Sequence, residues 1–131
     1  MTRAIAAAIL AVVLCLAGAC QSNEPLRVNT IQLGRGLNPD NTVSGHTTRF
    51  KPTDTIYVSV LTDNAGSGTV SARWTYAGRV VSEPSKEVSY RGAAATEFHI
   101  QNSGGFPAGD YRVEIVLDGK PIASREFRVE K

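Results

Sequence analysis

Gly109–Val129, GDYRVEIVLDGKPIASREFRV, reads as two strands and the turn between them. Tyr111, Val113, Ile115 and Leu117 alternate with Arg112, Glu114 and Val116, the period of a strand with one buried face. Asp118-Gly119 is a two-residue hairpin signal, because a type I′ turn needs φ > 0 at both central positions. With that turn, Ile115 faces Ile122. Continued unbroken, the register sets Arg112 against Arg125 and turns Phe127 outward. A one-residue bulge between Ala123 and Glu126 repairs both. It sets Arg112 against Glu126 and Asp110 near Arg128.

Working outward, further short strands precede this hairpin. Leu26 to Leu33 has apolar positions Leu26, Val28, Ile31 and Leu33, and its phase slips at Asn29-Thr30, which predicts a bulge. Thr55–Leu61, Thr69–Tyr76, Val80-Val81, Glu87–Tyr90 and Thr96–Ile100 follow, with turn residues between them. No segment sustains a helical period. The spacing predicts seven or eight strands, all-β, in one antiparallel sandwich over residues 26–131. Trp74, Tyr76, Phe98, Tyr111 and Phe127 sit on apolar phases and are expected in the core. Tyr57 is on the opposite phase from Ile56, Val58 and Val60.

Two features resemble immunoglobulin-like and fibronectin-III-like domains. Trp74, the only tryptophan, lies on the third strand. Tyr111 opens the penultimate strand after Gly109-Asp110, as in a tyrosine corner. The resemblance implies an immunoglobulin-like β-sandwich built without the cysteine pair of antibody domains.

The first residues have the parts of a secretory signal: Arg3, an apolar run from Ile5 to Leu16, then Ala17, Gly18 and Ala19. The run from Ala4 to Ala19 is 16 residues, short of the roughly 20 of a membrane span. Leu16-Ala17-Gly18-Ala19-Cys20 resembles the lipobox of bacterial lipoproteins, with Ala17 where leucine is usual. The resemblance implies a helical signal peptide over 1–19, lipid on Cys20, and a short tether to residue 25. An ordinary cleaved signal and an uncleaved span are the alternatives. Two or more acyl chains make a stable anchor. Gln21 in place of aspartate implies the outer membrane, facing the periplasm, if the host has two membranes. Five residues, Gln21 to Pro25, reach at most about 17 Å, so partners are expected at or near the membrane surface.

Composition narrows the chemistry. Fourteen lysines and arginines, less Arg3, stand against twelve acids. That near-neutral balance, with no basic run, points away from nucleic acid. With Cys15 in the leader and Cys20 acylated, no cysteine remains for a disulfide or thiolate site. His46 and His99 do not cluster with other ligands, so no metal and no cofactor is expected. Gly66-Ser67-Gly68 lacks the lysine and helix of a phosphate loop. Turn chemistry accounts for Asp54, Asp63, Asp110 and Asp118.

Gly34–Arg49 reads as a long turn-rich stretch or an extra edge strand through Val43–Phe50, and such stretches are often functional. Arg35, His46 and Arg49 in it, with Tyr57, are the candidate ligand-binding residues. The expected function is that of a non-catalytic, membrane-anchored cell-envelope lipoprotein, a protein-interaction or structural module whose partner is an envelope protein. The alternative is a module binding a glycan or a small anionic ligand. Ile122–Val129 and Val80-Val81 are the candidate docking edges, or edges guarded by Pro121 and the charges at 125, 126 and 128.

Overall fold

The computed structural model describes residues 24–131, so the signal segment and Cys20 lie outside the described residues. Ten strands follow one another: β1 Val28–Leu37, β2 Val43–His46, β3 Arg49–Phe50, β4 Ile56–Thr62, β5 Gly66–Tyr76, β6 Arg79–Ser82, β7 Ser85–Tyr90, β8 Ala94–Ile100, β9 Gly109–Leu117 and β10 Lys120–Val129. They form a sheet of order β2-β1-β4-β8 and a larger one of order β3-β10-β9-β5-β6, with β7 also pairing β5. The sheets close over a core centred on Trp74, Val58, Val60, Val113 and Ile115, each fully buried.

Aromatic packing anchors one end of that core. Tyr76 stacks on Tyr111 at 4.5 Å and Tyr111 on Phe127 at 5.3 Å. Phe127 meets the edges of Trp74 and Phe50 at 5.9 and 5.5 Å. Such pairs contribute about 0.5–1.5 kcal/mol each beyond their burial. Tyr111 donates its hydroxyl to the Pro107 carbonyl at 2.7 Å, the corner anticipated from sequence. Burial holds the Tyr111 phenol above its ordinary pKa, with Tyr76 adding to it. Trp74 Nε1 is buried without a hydrogen-bond partner.

Four sequence expectations need correction. There are ten strands, against the seven or eight expected, because short pieces flank the long ones. The sandwich is not wholly antiparallel: β3 pairs parallel with β10, Arg49 with Arg128 and Phe50 with Val129. The chain reaches that position by crossing between sheets at Thr47-Thr48.

Third, Gly34–Arg49 is not a long loop and comes closer to the alternative of an edge strand through Val43–Phe50, which holds the edge strands β2 and β3. β1 runs on to Leu37 and turns back into β2. The turn folds onto the smaller sheet, where Ser59 Oγ donates to the Asn41 carbonyl at 2.7 Å. Asp40 holds the turn, accepting from the hydroxyl and N–H of Thr42, and those bonds lower its pKa. Gly34 is what permits the packing: a Cβ there would lie 2.4 Å from Val43 Cγ1. Val43 is consequently buried.

Fourth, the last hairpin has its one-residue bulge, but at Ile122, between Pro121 and Ala123. Proline has no N–H for the ladder, so the break falls beside it. Ile115 therefore pairs with Ala123, and Ile122 turns out, 42% exposed. Downstream the expected register holds: Glu126 faces Arg112, Arg128 faces Asp110, and Phe127 and Val129 are buried. The bulge expected at Asn29 is present between Val28 and Thr30.

The strands give the domain two distinct ends. Pro25 bridges Ser67, so the first described residues enter beside the turns at 63–65, 91–93 and 118–119. The opposite end carries the 51–55 segment, the Ala77-Gly78 turn and the longer 101–108 loop. β9 alone, at about 3.3 Å per residue, separates the two ends by roughly 30 Å.

Candidate functional site: clefts at the end opposite the N-terminus

Of the four residues expected to bind ligand, Arg35 and Arg49 are brought together, lining one open cleft of about 420 Å³ with Lys51 and Glu130, while His46 and Tyr57 lie elsewhere. Arg35 is a clamp. Its Nε meets Asp54 Oδ2 at 3.1 Å and its Nη2 donates to the Arg49 carbonyl at 2.9 Å. The same Asp54 oxygen accepts the Lys51 N–H at 2.7 Å. Arg35 thus fixes the crossing from β2 into β4. His46 lies on a separate shallow groove with Thr47, Thr48 and Arg125. Tyr57 is half-buried on the outer face of the smaller sheet, 5.4 Å from the His99 ring. Register aligns His46, Gly34, Tyr57 and His99 in one row. Val43 and the carbonyls of Ser44 and Gly45 fill the space above Gly34, so that row forms no continuous platform.

Arg49 is different. It projects from β3, its side chain 77% exposed, and its carboxylate neighbour Glu130 is 3.9 Å away. Its backbone is held on both sides: the N–H donates to Thr47 Oγ1 at 3.0 Å, and the carbonyl accepts from Thr47 and Arg35. Arg49 lines an open cleft of about 630 Å³ with Thr48, Asp110, Arg112, Glu126 and Arg128. Arg112 and Arg128 were not among the sequence candidates. Their alternation was visible, but only the β3–β10 pairing places them beside Arg49, and a two-residue strand has no periodicity to read.

Ion pairing on this sheet face loosens toward the cleft. Near the middle, Arg73 donates to Glu83 Oε1 and Glu114 Oε1, both at 2.9 Å. The Glu83 bond leads in raising the Arg73 pKa. Arg112 donates to Ser124 Oγ at 3.1 Å and stands 3.9 Å from Glu114. At the cleft, Arg128 is 3.5 Å from the exposed Asp110.

A second cleft of about 550 Å³ opens between β6 and the 101–108 loop, lined by Tyr76, Val81, His99, Asn102, Phe106 and Tyr111 among others. His99 Nδ1 lies 3.0 Å from Glu97 Oε2. A His–carboxylate pair suits base chemistry when the other ring nitrogen meets a nucleophile. Among the described residues no hydroxyl hydrogen-bonds to it. Glu97 is also approached by Lys86 at 3.5 Å, which ties β7 to β8 across the sheets. Among the described residues no group of three or more His, Cys, Asp or Glu converges as a metal site would.

The expected docking edges are covered or interrupted only in part, and Val80 and Val81 remain exposed. β3 covers β10 at Arg128–Val129, and Arg125 Nη1 donates to the Ser124 carbonyl at 2.9 Å further along. β6 is interrupted by a register shift near Val81, and Pro84 separates it from β7. Lys86 Nζ takes the Glu97 carbonyl on β8 at 2.6 Å. These are devices that discourage edge pairing.

No family model and no curated protein sequence matches the chain. Solved structures do resemble it. An immunoglobulin-like protein from Pseudomonas aeruginosa superposes with a TM-score of 0.57 at 12% identity, covering 83% of this chain and 99% of that one. A β-glucosidase from Listeria innocua, solved with glucose, gives 0.50 at 11% identity. There the match covers 78% of this chain but only 16% of the enzyme. At these identities the likeness concerns the fold alone. The fold is an immunoglobulin-like β-sandwich.

Proposed function

We propose that this chain is a non-catalytic cell-envelope lipoprotein, anchored through lipid on Cys20, whose sandwich is a contact module for an envelope protein. The sequence before Cys20 motivates the anchor, and Gln21 motivates an outer-membrane address facing the periplasm. The observation that carries the contact role is the bridge from Pro25 to Ser67. A tether from Cys20 to Pro25 would join the sandwich at that end, while the two clefts described above lie at the other. An acylated Cys20 would hold the near end against the bilayer and present the far end outward, roughly 30 Å away. The partly covered and interrupted edges of β10 and β6 make strand addition the lesser mode, and the far-end surfaces the main contact.

The test has two parts. Mass spectrometry of the mature protein should find a diacylglyceryl thioether on Cys20, and Cys20→Ala should release the protein from membranes. A photo-crosslinking residue at Gly104, on the far end, should trap a partner from intact envelope, while one at Gly92, in the near-end 91–93 turn, should not. A free thiol on Cys20 would remove the anchor. Crosslinks confined to Gly92 would reverse the orientation.

A small anionic ligand is the second reading, favoured by the exposed Arg49 in its cleft.

A further inference from the structure

We infer that Arg49 and Arg128 form a binding site for a phosphate-class oxyanion at the far end of the larger sheet. The site lies wholly within the sandwich and does not depend on lipid at Cys20. Parallel pairing makes Arg49 and Arg128 direct partners on the outward face. Like charges opposed across strands are unfavourable. Each has one carboxylate in ion-pair range that offsets part of the repulsion, Glu130 at 3.9 Å from Arg49 and Asp110 at 3.5 Å from Arg128, but neither carboxylate makes a hydrogen bond to its arginine. Arg73 on the same face is the contrast, with both carboxylates at 2.9 Å. An oxyanion between the two guanidinium groups replaces repulsion with charge-assisted hydrogen bonds, for which the planar fork of arginine is suited.

The site is built on a fixed base. Thr47 and Arg35 hold the Arg49 backbone, so the side chain leaves the sheet from a set position. Such pre-organisation lowers the ordering cost of binding. Thr48 and Arg112 line the same cleft, and Thr48 offers a further donor. Asp110 and Glu126 also line it, and they temper the positive charge. Phosphate is the favoured oxyanion because its tetrahedral oxygens can take the two opposed guanidinium groups and the Thr48 hydroxyl together, while Arg112 stays bonded to Ser124.

The test is an NMR titration of the purified full chain in detergent, following arginine Nε–Hε signals at constant ionic strength. The probes are inorganic phosphate, dimethyl phosphate, acetate and chloride. Saturable shifts at Arg49 and Arg128 with phosphate, above those with chloride or acetate, are expected. Inorganic phosphate alone points to a monoester source, and binding of dimethyl phosphate as well points to a diester polymer or headgroup. Arg128→Gln should weaken phosphate binding about five-fold, the equivalent of about 1 kcal/mol. Arg73→Gln should leave it unchanged, and Asp110→Asn should tighten it. Equal shifts with chloride, preference for acetate, or equal loss in Arg73→Gln and Arg128→Gln would overturn the assignment.

Discussion

Replacing Gly34 by alanine tests whether the β1–β2 hairpin is packed onto the smaller sheet or only lies beside it. The new Cβ would stand 2.4 Å from Val43 Cγ1 and 2.7 Å from the carbonyl oxygens of Ser44 and Gly45. Two of those three obstacles are backbone, so a rotamer change is not enough and the hairpin must lift. Lifting exposes Val43 and breaks the bond from the buried Ser59 hydroxyl to Asn41. Re-exposing a valine costs about 1.5–3 kcal/mol. Losing the serine bond costs about 0.5–1.5 kcal/mol once water enters. The expected destabilisation is therefore about 2–4 kcal/mol, or roughly 8–16 °C in melting temperature for a domain of this size. Urea unfolding of Gly34→Ala, Val43→Ala and the double variant measures it. Alanine at 43 removes one obstacle, so Gly34→Ala should cost about 1 kcal/mol less in that background. A Gly34→Ala protein within about 0.5 kcal/mol of the parent, the range of an ordinary surface change, would refute the packing argument.

Phe127→Ala removes the ring shared by Trp74, Tyr111 and Phe50 and should cost about 3–5 kcal/mol in chemical denaturation. Tyr111→Phe loses the bond to the Pro107 carbonyl and should cost about 1–2 kcal/mol by the same measurement. The Tyr111 phenol has a raised pKa in the fold. Its contribution is full below the unfolded value near 10 and is lost as pH rises through the folded value. Melting temperature should thus decline more steeply above about pH 10 in the parent than in Tyr111→Phe. Lys86→Ala uncovers the Glu97 carbonyl on the β8 edge. It should show concentration-dependent association by sedimentation while the parent does not, and identical behaviour would deny the lysine that role.

Much of the sandwich was legible because its long strands carry their instructions locally. Alternation in 109–129, the Asp118-Gly119 turn and the slip at Asn29 each point to a feature that the structure contains. Errors arose where a residue type has two physical uses. Gly34 opens a stretch that reads as turn-rich, yet its missing Cβ makes room for Val43. The turn register sets Ile122 opposite Ile115, while Pro121 before it moves the bulge and turns Ile122 outward. The cleft was least legible. Arg35 and Arg49 were found as cations in an odd stretch, but one became a clamp and the other a cleft residue. Their different roles depend on β3 lying beside β10, a contact spanning most of the domain and only two residues long.

Trp74 gives the molecule an optical reporter of its own. It is the single tryptophan of 131 residues, fully buried, with its indole N–H unpaired. Its emission should be blue-shifted in the native protein and should move to the red on unfolding. No second indole dilutes that signal. Fluorescence can therefore follow the stability of the core directly, with no dye or label attached.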